Sequence, residues 1–326
     1  MDILLIILLI IFIILIAIGF LFYNYVFNRN WIDYNYKKIR EKELKDTSPE
    51  GIERNNKQKI YDKEKDEFNE SVKDISQDIF VKSFDNKRVH ARVIENNASN
   101  AIKDIWIVGV HGYRNSSYTF GEFINQLYKM GYNVLLPDLR GCGDSKEKYL
   151  TMGYKDKYDV KACIDWLAKN KKDSKIVIYG VSMGAATTMM TTGLKLPKNV
   201  KCVVEDCGYS SLFDELKYEC KFFMHLPAFP VLYFLDLIYM LKNRFVSIKK
   251  VSSVDALKKN TRPTLFIHGK NDDFVPYYML EKVYNANNSI KEKIEFDYTW
   301  HAESNVVHKE EYYNSIDKFI KKYSNI

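Results

Sequence analysis

A chain of 326 residues, 46% of them hydrophobic, has room for one large catalytic domain and an appendage. Its formal charge of +7 is the small difference between 49 basic and 42 acidic residues. They are spread along the chain without the concentrated basic face that nucleic acid requires. Five cysteines without a CxxC pair cannot close into a full set of disulfides. Six histidines with no HExxH or other ligand spacing argue against a metal, and no cofactor is expected.

From Ile3 to Phe22 every residue is apolar or glycine. About 20 such residues at 1.5 Å rise match the ~30 Å hydrocarbon layer, so residues 1–28 are expected to form a single membrane-spanning helix. Tyr23, Tyr25, Phe27 and Trp31 follow at the far end, where aromatic rings favour the interface. A cleavable signal peptide is the alternative, with Ala17-Ile18-Gly19 as a cleavage-like triplet, but the lead-in Met1-Asp2 lacks a basic stretch. Arg29, Lys37, Lys38 and Arg40 all follow the span, which by the positive-inside rule places the rest of the chain in the cytoplasm. Unpaired cysteines agree with that placement. Residues 29–77, dominated between Lys37 and Glu70 by charges of both signs, are expected to be a solvated, partly helical spacer holding the domain off the bilayer.

From Asp78 to the end, residues 78–326, strand and helix periods alternate. Ile79 to Lys82 and Val89 to Ile94 read as a hairpin turned at Asp85-Asn86. Apolar runs at 105–110, 134–137, 176–179, 200–205, 265–268 and 294–298 read as buried strands of a mainly parallel sheet. Helical stretches at 119–130, 155–170, 183–196, 276–285 and 309–323 separate them. This alternation predicts a doubly wound, three-layer α/β fold with sites at the carboxyl ends of the strands.

The strand at 176–179 runs into Gly180-Val181-Ser182-Met183-Gly184 and then a helix, the strand-turn-helix setting in which Gly-x-Ser-x-Gly presents a nucleophile. The sharp turn strains the serine backbone, and the flanking glycines let strand and helix approach. A serine hydroxyl needs a base and a group that orients the base. Leu265 to Pro276 ends a strand in a turn bearing two adjacent acids, Asp272 and Asp273, between which spacing does not decide. His301, in Trp300-His301-Ala302-Glu303 after the last strand, is the base candidate. Two N–H donors should face the developing oxyanion: Met183, following the serine, and Tyr113, after the strand ending at Val110. His111 reads as a structural hydrogen-bonding residue.

Together His111-Gly112-Tyr113, Pro137 to Ser145, Gly180 to Gly184, Phe266 to Pro276 and Trp300 to Ser304 resemble the α/β-hydrolase superfamily, and within it the membrane-anchored esterase-like hydrolases of the serine aminopeptidase and cell-surface hydrolase group. The resemblance implies the α/β-hydrolase fold with a helical lid at about 211–251. It selects Asp272 as the triad acid, leaving Asp206 as the position some relatives use. Asp138 and Arg140 become bracing residues. It also implies an outer-surface location, against the charge-based placement.

The lid segment is rich in Phe, Leu, Tyr and Met, and Pro227 and Pro230 break it into short helices. It should either roof an apolar acyl pocket near the bilayer or pack on the domain below. The expected function is a serine hydrolase cleaving short- or medium-chain acyl esters, small-molecule or lipid, through Ser182, His301 and Asp272. A peptidase, thioesterase or acyltransferase shares that triad. A noncatalytic membrane-tethered binding protein is the reading from another class.

Overall fold

A computed structural model describes residues 3–324; the expected lead-in Met1-Asp2 and the last two residues lie outside it. Residues 3–72 hold three helices: α1 (Ile3–Phe27), α2 (Arg29–Glu43) and α3 (Pro49–Val72). The hairpin follows as β1 (Gln77–Lys82) and β2 (Arg88–Ile94), turned through Asn86 at a φ of 62°. Then come β3 (Ile105–Val110), α4 (Gly121–Lys129), β4 (Asn133–Pro137), α5 (Asp156–Asn170), β5 (Lys175–Val181), α6 (Met183–Thr192) and β6 (Val200–Asp206). The lid segment holds α7 (Leu212–Phe222) and α8 (Ala228–Lys242), followed by the short α9 (Ser253–Leu257). β7 (Thr264–Gly269), α10 (Tyr278–Ala286), β8 (Lys291–Phe296), α11 (Ser304–Val307) and α12 (Lys309–Ser324) complete the chain.

The eight strands form one sheet in the order β1-β2-β4-β3-β5-β6-β7-β8. β1 and β2 pair antiparallel, β2 joins β4 antiparallel, and every pair from β4 to β8 is parallel. All of β3, β4 and β7 is buried, as strands covered by helices on both faces must be. Trp106, Val108 and Ile178 fill one side of the sheet, and Ile107, Val177 and Tyr179 the other, following the two-residue alternation. The carboxyl ends of β5, β7 and β8 therefore open on one edge.

Residues 29–77 are largely helical, as expected of the spacer, but the α3 part is docked on the domain and not solvated. α3 lies along α4 and contributes Phe68 and Val72, both with no exposure, to the core on its side of the sheet. Polar contacts hold the rest: Asn125 and Gln126 each donate to Glu64 at 2.7 Å, Lys309 pairs with Glu64 at 2.6 Å, and Lys57 pairs with Glu303 at 2.6 Å. The sparse apolar positions of α3 fall on one side because Phe68 and Val72 are four residues apart.

α1 is the one helix among the described residues long and apolar enough to cross a membrane. Its first half is exposed, whereas Phe22, Tyr23, Val26 and Phe27 are buried against α8 and the domain. Gly19 makes the close approach: a Cβ there would sit 2.7 Å from backbone and Cβ atoms of Phe234. Helix α8, in the segment expected to form a lid, thus packs on α1, with the Phe27 and Tyr239 rings 5.2 Å apart, and it does not line the cleft over Ser182.

Candidate active site

β5 ends at Val181 and α6 begins at Met183, so Ser182 turns the chain in one residue, at φ 57° and ψ −123°. Only a tightly held turn keeps a non-glycine residue there. Gly180 and Gly184 make that possible, since a Cβ at Gly180 would collide with the Gly184 carbonyl and one at Gly184 with the Val110 carbonyl. The Ser182 N–H donates to the Asp206 carbonyl at 2.8 Å, fixing the turn on β6.

His301 Nε2 lies 2.9 Å from Ser182 Oγ, and His301 Nδ1 lies 2.7 Å from Asp272 Oδ2. Three loops, after β5, β7 and β8, deliver the three side chains to one edge. Asp272 is buried and accepts from the Phe274 and Val275 amides at 3.0 and 2.8 Å, while Asp273 is exposed. Asp206 is also buried but accepts from Tyr312 Oη at 2.8 Å and makes no bond to His301. Of the three acids considered, Asp272 alone touches the imidazole.

Electrostatics follow from this arrangement. Burial disfavours the Asp272 charge, but the His301 charge and hydrogen bonds from His268 and His301 outweigh it and hold the carboxyl well below its usual range. Burial likewise disfavours imidazolium at His301, and the Asp272 charge and hydrogen bond overcome it, so His301 is raised above its ordinary value. Asp206 is pushed up to about 6 by burial.

Met183 N–H is the first of α6 and has no acceptor within the helix, and Met183 borders the same cleft as Ser182. Tyr113 borders that space too, and its hydroxyl donates to the Val26 carbonyl of α1 at 2.7 Å. His111 is fully buried, accepting from the Leu139 amide at 2.9 Å, and belongs to the scaffold. Asp138 accepts from the Ser117 and Asp144 amides and from His90, and Arg140 binds Asp159 and Asp85, so both brace the loop at 138–145.

Two groups of ligating side chains come within reach of one another: Cys207 with Asp272 and His301, and His90 with Asp138 and Asp144. In the first, the His301 nitrogens and Asp272 Oδ2 are engaged with one another and with Ser182, and burial pushes the Cys207 thiol well above its usual range. In the second, Asp138 is saturated by donors. Neither presents a free ligand set. All five cysteines are unpaired and buried.

The cleft over Ser182 holds about 320 Å³ and is mainly apolar. α7 and the turn after it supply Leu216, Phe223 and Met224; α1 supplies Tyr25 and Val26, and α2 supplies Ile32 and Ile39. Neither the uniformly apolar α1 nor the charged α2 carries a pattern that points to a place in this wall. Phe274 lies against the His301 ring, centroids 5.0 Å apart.

A family model described as the alpha/beta hydrolase fold matches residues 105–228. The chain has the α/β-hydrolase fold. The esterase Pf2001 of Pyrococcus furiosus, a solved hydrolase structure, superposes with a TM-score of 0.62 at 27% identity, covering 77% of this chain and 95% of that one. YqkD of Bacillus subtilis, an uncharacterized protein, is 27% identical over 216 residues, 66% of this chain and 70% of YqkD. The lysophosphatidylserine lipase ABHD12 of Xenopus tropicalis is 27% identical over 187 residues, 55% of this chain and 46% of ABHD12.

Proposed function

We propose that the chain is a single-pass membrane-anchored serine hydrolase that cleaves short- or medium-chain acyl esters, with Ser182 as nucleophile, His301 as base and Asp272 as the orienting acid. The observation that carries this reading is the imidazole of His301, held between Ser182 Oγ at 2.9 Å and Asp272 at 2.7 Å. Ser182 Oγ attacks the ester carbonyl while its proton passes to His301 Nε2. The tetrahedral oxyanion is met by the amides of Met183 and Tyr113, a contribution of about 3–4 kcal/mol per donor in comparable sites. As the C–O bond to the leaving alcohol breaks, His301 returns the proton to that alcohol, leaving an acyl-serine. Water then attacks the acyl carbon, gives its proton to His301, and Ser182 recovers it as the carboxylic acid leaves. Asp272 keeps the Nδ1–H tautomer and stabilises the imidazolium that forms at each stage.

An apolar cleft bordered by α1 supports an acyl chain as the part of the substrate it holds, and the esterase and lipase names of the relatives agree with an ester. The anchoring half of the proposal rests on the exposed apolar length of α1, continued by Phe229, Tyr233, Leu237 and Leu241 exposed on α8. The basic residues after the span favour the cytoplasmic side for the catalytic domain.

Labelling of membranes carrying the chain with a fluorophosphonate probe tests the chemistry. Wild type should label and Ser182→Ala and His301→Ala should not; a Ser182→Ala protein that still labels ends the assignment. Matched ester, amide and thioester substrates then separate an esterase from a peptidase or thioesterase, with faster amide cleavage counting against the ester.

A further inference from the structure

The wall of the cleft contains two carboxyl groups that no step above uses. Glu215 and Glu219 lie one turn apart on α7, and both border the same cleft as Ser182. Glu215 is 3% exposed, and its Oε2 has no hydrogen-bond partner; Glu219 Oε1 is likewise buried and unpartnered. No ion pair among the described residues reaches either one. Arg114, the one Lys or Arg among the residues lining the cleft, is exposed and stacked 4.4 Å over the Tyr36 ring. Their helical neighbours Leu212, Leu216 and Cys220 are buried apolar side chains, so nothing in the packing calls for acids there.

A buried carboxyl without hydrogen-bond partners is destabilising, more so when charged, so such a pair persists against its own stability unless a ligand completes it. We infer that Glu215 and Glu219 form a recognition site for an ammonium group on the alcohol portion of the ester substrate. This inference rests on the hydrolase reading above and names the substrate class for that same site. Three observations lead to a cation on the alcohol side. Glu219 is near enough to His301 for their charges to interact, and His301 is the group that hands the leaving alcohol its proton. The acyl portion has the apolar wall of Leu216, Phe223 and Met224 to occupy. An ammonium brings positive charge to both carboxyls at once and donates at least one N–H, whereas a lone hydroxyl brings no charge. Burial raises Glu219 to about 7, with His301 opposing and Asp273 adding, and raises Glu215 well above its usual range. Ammonium binding would reverse that and release protons.

The test compares 3-(dimethylamino)propyl hexanoate, protonated at neutral pH, with its carbon isostere 4-methylpentyl hexanoate on the full chain in detergent. Wild type should favour the ammonium ester in kcat/KM by about ten- to a hundredfold, the range of a charge-assisted hydrogen bond. In the double variant Glu215→Gln, Glu219→Gln that ratio should fall to near one, whatever happens to turnover itself. A wild type without the preference overturns the proposal and needs no variant to fold. A preference that survives in the folded double variant overturns it too. Hexylammonium binding to Ser182→Ala protein, read as a thermal shift, is independent of catalysis. Binding that disappears with the two glutamines while neither ester is hydrolysed would keep the recognition site and remove the esterase reading.

Discussion

Ser182 and His301 share one proton, and the residues around them decide at which pH it can move. His301 accepts a proton only when neutral, so kcat/KM should rise as pH climbs through the His301 pKa and the acid limb should lie above the ordinary value of about 6.5. Asp272 is what raises it. In Asp272→Asn the burial contribution is left without its counterweight, so the limb should move to lower pH while kcat falls about 10⁴-fold through loss of the tautomer. Asp273→Asn, at an exposed position, should change kcat by less than about threefold. A pH–rate profile of the three proteins checks this, and an unmoved limb in Asp272→Asn would remove Asp272 from its proposed role. Spacing could not separate these acids because they share one turn after β7. What distinguishes them is burial and the two amides aimed at Asp272, neither of which a sequence displays. The glycines around Ser182, by contrast, were legible because a one-residue strand-to-helix turn leaves no room for a Cβ.

Elements of the parallel sheet were legible for the same kind of reason: a strand buried on both faces must be a short continuous apolar run, and β3, β5 and β7 are. α3 was not legible, because its charged sequence hides a docking surface made of a few side chains. Phe68 and Val72 are its fully buried apolar contacts, and Glu64 collects donors from α4 and α12 that lie far away in sequence. The helix also reaches the loop that carries His301: Tyr61 Oη donates to the Ala302 carbonyl at 2.8 Å. Phe68→Ala should therefore cost about 3–5 kcal/mol in thermal or denaturant unfolding, the scale for an aromatic side chain removed from a core. A free spacer would predict no change, so an unaltered unfolding midpoint would contradict the docked helix. The lid segment divides in a way that hydropathy could not show. α7 faces the cleft and α8 faces α1, although both read simply as greasy helices interrupted by proline.

At the scale of the whole molecule, the apolar helix and the cleft are mechanically continuous. Tyr25 and Val26 end α1 inside the cleft wall, Tyr113 binds the Val26 carbonyl beside the proposed oxyanion donors, and Gly19 lets α1 lie directly on α8. Close backbone approach at a small residue is how helices associate in lipid, where apolar surface alone gives no preference for protein over acyl chains. Gly19→Leu would force α1 away from Phe234 and, through the rigid rod of the helix, shift Val26 and Tyr113 together. The expected result in the full chain reconstituted in nanodiscs is a stability loss of about 1–3 kcal/mol, the cost of overpacking a close contact. KM should rise more for a long acyl ester than for acetate, because the displaced wall holds the chain and not the carbonyl. If Gly19→Leu unfolds at the wild-type temperature and keeps the wild-type ratio of long- to short-chain KM, α1 is a tether and the cleft is built without it.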